Sequence, residues 1–244
     1  MTASTAVPGH RPPSWRRDLG VTLLAALLLL AWDASGADLW VSRAVGGDAG
    51  FPWRDAWLTR HLLHDGGRWA AGVLLAGLVW RAWRCPPDDP LGARARWGAL
   101  GAVLLNLVAV PAFKRASATS CPWDLAEFGG SAQWVSHWSW GVLDGGPGHC
   151  FPSGHAVAAF CFLALYFAWR DVRPAVARRW LLAVLAAGLL FGAAQVLRGA
   201  HYMSHVAWSA WVCWTLSAAV EAISRLRRRP RPRPAGAAAA DSPA

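Results

Sequence analysis

Six apolar runs recur along the chain, at about 18–36, 69–84, 97–113, 154–170, 179–197 and 205–224, separated by polar segments rich in glycine and proline. Each approaches the roughly 20 apolar residues that a helix needs to cross about 30 Å of hydrocarbon. Backbone polar groups in lipid must be satisfied within their own segment, so the pattern predicts an all-α fold, a polytopic bundle of six transmembrane helices. The first run has a short uninterrupted core, Leu19 to Trp32, ending at Asp33. Its basic flank at Arg16 and Arg17 and the small residues at 34–37 also resemble a signal peptide. Removing that segment would leave the sidedness of the later runs unchanged.

Composition agrees with a membrane protein: of 244 residues, 55% are hydrophobic and 18 are tryptophan. Many tryptophans stand near the ends of the apolar runs and read as an interfacial belt. Charge then sets sidedness. Arg11, Arg16 and Arg17 precede the first run, and Arg81, Arg84, Arg94 and Arg96 lie between the second and third. Arg170, Arg173, Arg178 and Arg179 lie between the fourth and fifth, and six more arginines from Arg225 to Arg233 follow the sixth. With six spans, all of these fall on one side, which the positive-inside rule makes cytoplasmic, together with both termini. The expected organisation is a cytoplasmic segment at 1–17, a membrane domain at 18–224 with an outer loop at 114–153, and a disordered basic, Pro- and Ala-rich cytoplasmic tail at 225–244. The net charge of +10 is thus spent on topology, and no aromatic-basic module for reading bases accompanies it, which argues against nucleic acid as a partner.

Two polar segments bordering apolar runs carry the candidate chemistry: Cys150-Phe-Pro-Ser153-Gly154-His155 and Gln195-Val-Leu-Arg198-Gly-Ala-His201-Tyr-Met-Ser-His205. Lys114, the sole lysine of the chain, precedes both, and the topology brings all three to the outer face. Pro, Ser and Gly before an apolar run mark a helix start, where free N–H groups and the positive dipole end bind anions. Ser153 would cap this helix and His155 would sit in its first turn. The plainer reading is an ordinary capped helix with an interfacial histidine. Arg198, His201 and His205, three and four residues apart, would share one face of a helical backbone.

At these residues the chain resembles the type 2 phosphatidic acid phosphatase superfamily, whose integral-membrane members carry K-x6-R-P, P-S-G-H and S-R-x5-H-x3-D motifs. Pro152-Ser153-Gly154-His155 matches the central motif in full. The resemblance implies His201 as the nucleophile that forms a phosphohistidine, and His155 as the group that protonates the leaving oxygen and later activates water. It also implies that Lys114, Arg198 and the amides near Ser153 and Gly154 hold the phosphate oxygens, with no cofactor or metal. The expected protein is a phosphatase of the bacterial inner membrane that acts at the periplasmic face on a lipid phosphomonoester or diphosphate, such as undecaprenyl diphosphate, phosphatidylglycerol phosphate or lipid A. A lipid phosphotransferase using the same site, and a non-catalytic phosphate-lipid-binding or metal-binding membrane protein, are the alternatives.

Three positions depart from the family pattern. Cys121-Pro122 stands where the family has Arg-Pro, which leaves Arg115 as a weak substitute. Gln195 occupies the place of the third motif's arginine, with Arg198 one helical turn later, near the same face. His205 replaces the aspartate that orients the nucleophile; a neutral imidazole accepts a hydrogen bond but does not stabilise an imidazolium as a carboxylate does. Asp124, Glu127 and Asp144 in the outer loop are the candidate sources of that charge. CPWDL and RGAHxxSH strings resemble those of bacterial relatives in the superfamily, so the variation reads as a subfamily pattern. Cys121 and Cys150 share the outer loop and are expected to pair in an oxidising compartment, for roughly 3 to 4 kcal/mol of stabilisation. Two free thiols, or a Cys/His metal site drawing on His137, His149, His155, His201 and His205, are the other readings. Cys161 and Cys213 read as small apolar residues and Cys85 as a reduced cytoplasmic thiol.

Overall fold

The protein is described here from a computed structural model covering residues 14–84, 88–139 and 141–226. Arg11, Cys85 and the tail from Arg227 onward lie outside the described residues. The architecture is all-helical: α1 (Ser14–Ser35), α2 (Ala37–Val45), a π-helical segment (Leu58–Gly66) that runs into α3 (Gly67–Trp83), α4 (Ala93–Ala116), α5 (Val157–Phe160), α6 (Leu163–Trp169), α7 (Pro174–Leu197) and α8 (Met203–Leu226). Four helices are long and apolar enough to cross a membrane: Trp15–Ser35 of α1, α4, α7 and α8. The other two runs read from the sequence fall on α3, of 17 residues, and on the Val157–Trp169 stretch of α5 and α6.

The helix that is apolar on every side lies at the centre, as a uniformly hydrophobic helix should. From Val157 to Phe167 nearly every side chain of α5 and α6 is buried. Around this stretch α3, α4, α7 and α8 pack. Lipid tails are as apolar as leucine, so burial alone gives these helices little reason to associate, and close packing and polar contacts must hold them together. Both are present. A methyl group at Gly188 of α7 would lie 2.1 Å from the Phe160 ring, and one at Gly192 would lie 2.2 Å from Val206 of α8, so the glycine face of α7 lets both neighbours approach. Asn106 of α4 donates to the hydroxyl of Ser217 of α8 at 3.1 Å with both residues buried. α1, by contrast, leaves Leu23, Leu24, Leu27 and Leu28 more than half exposed, a surface suited to acyl chains.

Opposite ends of the bundle carry different polar chemistry. At one end Arg170 after α6 donates to both carboxylate oxygens of Asp18 in α1, at 2.8 and 2.7 Å. At the other end, the C-termini of α4 and α7 and the N-termini of α3, α5 and α8 come together under the segment 117–156. That end holds the candidate site.

Candidate active site

A cavity of about 550 Å³ opens at this end, and Lys114, Gly154, His155, Gln195, Arg198 and His201 all line it. Each arrives from a different local structure. Lys114 stands in the last turn of α4, one turn after the in-helix Pro111, which also lines the cavity. A Cβ on Gly154 would lie 3.8 Å from Lys114 Nζ, which puts the ammonium against the backbone of the Ser153–His155 turn. α5 begins only at Val157, so His155 precedes the helical turn that the sequence assigned to it, while Ser153 Oγ accepts from Ala156 N at 3.4 Å across the turn that leads into the helix. Ser153 is fully buried and faces α8 instead of the cavity: its N–H donates to His205 O at 3.1 Å, and its carbonyl accepts from Ser209 Oγ at 2.9 Å.

Arg198 and His201 do not share a helix. α7 ends at Leu197, and Gly199, at φ 68, turns the chain away. Gly199 N–H donates to Val196 O at 2.9 Å and Ala200 N–H to Gln195 O at 2.9 Å, a Schellman closure with glycine at its left-handed position. This closure overrides the helical spacing and brings His201 against Cys150. Arg198 is fixed by Nε donating to Arg54 O at 2.8 Å and by Nη1 reaching Gln195 Oε1 at 3.4 Å. Gln195 Nε2 is buried without a hydrogen-bond partner and belongs to the cavity wall.

His201 is 4% exposed and its Nδ1 lies 3.6 Å from Cys150 Sγ. Burial, reinforced by the nearby Lys114 charge, pushes its pKa down to about 3, so the imidazole is neutral with a lone pair available. His155 Nε2 meets Leu63 O at 3.4 Å and its ring stacks on His64 at 4.2 Å between centroids. His205 stands outside the cavity lining, fully buried, with Nδ1 3.0 Å from Cys150 O and its ring edge-on to His201. Arg115 is exposed and also outside the lining.

Cys121 and Cys150 are joined by a disulfide, which ties the chain after Lys114 to the strand before Ser153. Among the described residues, Cys121, Cys150 and His201 form a group whose ligand atoms lie within 4.8 Å of one another. With the two sulfurs bonded to each other, that group lacks the thiolates a Cys/His metal site would use.

None of the three outer-loop carboxylates reaches the histidines. Asp124 accepts from Trp123 Nε1 at 3.0 Å and from Cys121 N, and burial pushes its pKa up. Glu127 pairs with Arg43, whose hydrogen bonds hold its pKa down. Asp144 accepts from the amide and hydroxyl of Ser120. Instead, two acids from the first helices approach from behind. Asp38 of α2 accepts from Ser204 N at 3.0 Å and from Ser204 Oγ, holding the start of α8. Asp33 of α1 lies 3.3 Å from His137 Nε2, and His137 is edge-on to His205 at 5.3 Å. Sequence reasoning also passed over His64, Arg68 and Trp123 on the cavity wall. The available signal was the series His61, His64, Asp65, Arg68 at helical spacing before the second apolar run.

The crystal structure of the first transmembrane PAP2 type phosphatidylglycerolphosphate phosphatase from Bacillus subtilis superposes with a TM-score of 0.54 at 17% identity, over 88% of this chain and 98% of that one. No curated protein matches. The model of the PAP2 superfamily matches residues 95–229, a stretch that begins in α4 and takes in Lys114, the Ser153–His155 turn and His201, and the chain belongs to that superfamily.

Proposed function

We propose that the protein is a membrane lipid phosphatase that hydrolyses a lipid phosphomonoester or diphosphate. The observation that carries this reading is the convergence, in one cavity, of a buried neutral imidazole, a second imidazole, an ammonium, a guanidinium and an unpartnered amide donor. With Nδ1 of His201 turned to Cys150, Nε2 is the atom left to attack phosphorus. The P–O bond to the alcohol or phosphate leaving group breaks as the P–N bond forms, and His155, entering the step as the imidazolium, gives its proton to the departing oxygen and becomes neutral. Water then attacks the phosphohistidine, His155 takes the water's proton, and the P–N bond breaks to free phosphate. Lys114 and Arg198 would hold the equatorial oxygens, with Gln195 Nε2 adding a donor. The apolar wall of Ala71, Leu75, Leu107 and Phe162 suits the first carbons of an acyl or prenyl chain.

The topology fits a six-span arrangement with both termini cytoplasmic and the cavity on the periplasmic side of a bacterial inner membrane, the arginine distribution being the support. The structural neighbour's name makes phosphatidylglycerol phosphate the first lipid to try. The test is phosphate release by purified protein from phosphatidylglycerol phosphate, phosphatidic acid, undecaprenyl diphosphate and lipid A, with and without excess chelator. Turnover that His201→Ala abolishes and chelator leaves intact is the expected result. Loss with chelator and return with added metal would overturn the metal-free mechanism, and absence of turnover on every lipid would overturn the enzyme.

A further inference from the structure

Behind the active-site cavity, on the far side of His205, lies a second and much smaller cavity of about 10 Å³, lined among others by Asp33, His137, Tyr202 and His205. Its volume is about what one water molecule needs, and polar groups make up about half of its wall. Three of the lining residues each have a buried atom without a hydrogen-bond partner: Asp33 Oδ1, His137 Nε2 and His205 Nε2. Leaving such atoms unpaired is costly, so three together on one chamber call for a ligand that satisfies them. Their chemistry specifies it. Because His205 Nδ1 donates to Cys150 O, Nε2 is an acceptor, and Asp33 Oδ1 is an acceptor too. His137 Nε2 faces Asp33 Oδ2 at 3.3 Å, which makes it the protonated nitrogen and leaves it able to donate into the chamber as well. One water accepting from His137 and donating to Asp33 and to His205 completes all three, matching the usual three bonds of a buried water.

Asp33 differs in this from its neighbour Asp38, whose two oxygens are taken by Trp32, Ser204 N and Ser204 Oγ. Asp33 Oδ2 is fixed by the indoles of Trp138 and Trp208, both at 2.9 Å, which leaves Oδ1 for the chamber. His137 is itself held flat against Phe151, 4.1 Å between ring centroids.

We infer that Asp33 is a positioning residue for His201, acting through His137, one bound water and His205. The inference rests on the proposed role of His201 as nucleophile. The water anchors His205 Nε2, His205 Nδ1 holds the Cys150 carbonyl, and the Cys150 sulfur sets the Nδ1 side of His201. In this way the chain obtains from α1 a carboxylate that position 205 lacks.

The test is steady-state phosphate release from whichever lipid of the panel above the parent protein turns over fastest. Asp33→Asn keeps the volume and offers its carbonyl to the two indoles, while removing the charge. It is expected to lower kcat by roughly 10- to 100-fold, less than loss of a directly bonded triad aspartate, with KM within about two-fold. His137→Gln should do the same. The double variant should fall no more than about two-fold below the worse single, because both act on one path. Placing a carboxylate beside the nucleophile with His205→Asp should shrink the effect of Asp33→Asn to less than roughly three-fold. Losses that multiply, an effect in KM alone, or a kcat loss matched by an equal fall in folded protein would overturn the inference. His201→Ala separates the two levels. If it retains turnover the nucleophile reading fails first, and if it is dead while Asp33→Asn is unimpaired only the positioning role fails.

Discussion

Gly199 is the residue on which the site's local geometry most directly depends, and Gly199→Ala tests that dependence. The position has φ 68, where an L-residue with a Cβ is disfavoured by about 1–2 kcal/mol. The added methyl would also lie 2.3, 2.4 and 2.5 Å from three ring atoms of Phe51, which is buried between the outer loop and this turn. Such overpacking costs about 1–3 kcal/mol when the surroundings give way. The two effects together make roughly 2–5 kcal/mol, or a fall on the order of 10 °C in the melting temperature of the detergent-solubilised protein. Function should suffer more than folding. Arg198 and His201 flank the glycine, and Gly199 O accepts from Trp123 N at 3.0 Å, so any relaxation displaces two cavity walls. A shift of about 1 Å in a reacting group is enough for a loss on the order of 100-fold in kcat.

The assay is a melting curve and phosphate release on the same preparation, repeated in a Phe51→Ala background. Removing the ring abolishes the clash and leaves the dihedral cost, so Gly199→Ala should cost about 1–3 kcal/mol less there than in the parent. A Gly199→Ala protein that melts within about 1 °C of the parent and turns over within two-fold of it would refute the account. So would a cost that is the same with and without Phe51, since the clash would then contribute nothing.

Two other expectations follow from the site. Removing the Cys121–Cys150 bridge in a Cys121→Ala/Cys150→Ala variant opens a loop of 29 residues and should destabilise the protein by about 3.5 kcal/mol by the loop-entropy relation, with the parent approaching the variant under strong reductant; equal stability of parent and variant under oxidising conditions would contradict this. For pH, His201 has a folded pKa of about 3 against about 6.5 unfolded, so between those values the unfolded chain binds the extra proton and stability falls as pH falls. From pH 6.5 to 4.5 that amounts to about 2–3 kcal/mol from this group, and His201→Asn should flatten the fall in melting temperature over that window; an unchanged slope would sink the assignment.

The parts of this protein that the sequence revealed are those governed by composition over a long window or by a motif whose residues are close together. The apolar runs give the long helices because hydrocarbon admits few other structures, and Pro152 to His155 announces locally the turn that leads into the central helix. What the sequence hid depends on contacts between distant segments. Helical spacing put Arg198, His201 and His205 on one face, but the left-handed turn at Gly199 separates Arg198 and His201 from α8 and makes them a loop. Ser153 reads as a cap from its neighbours, and its Oγ does accept from Ala156 N at 3.4 Å, but its backbone is taken by His205 and Ser209 from more than 50 residues on, which no local pattern announces. The missing carboxylate was sought in the outer loop because that loop is polar. It stands at the end of α1, where Asp33 reads as the mere terminus of an apolar run.

These contacts divide the site into two halves of different rigidity. On the His201 side, every element is held from behind: Cys150 by the disulfide, Ser153 by α8, the start of α8 by Asp38, and Arg198 by Arg54 O. A nucleophile must be held within a few tenths of an ångström, and a shell of buried, partnered groups is how a protein does that. On the His155 side the wall is the π-helical segment with His61, His64 and Asp65, where Asp65 serves both histidines at 3.3 and 2.9 Å and is about half exposed. π-helical turns recur at functional sites because one extra residue per turn re-aims side chains at little cost to the rest of the helix. Substitutions at His64 and Arg68 are therefore expected to change relative turnover across the lipid panel, whereas substitutions around Cys150 and Ser153 are expected to lower turnover on every lipid. The proposed nucleophile stands on the clamped half, while the proposed acid, His155, stands against the more open wall, held there by Leu63 O and the His64 ring.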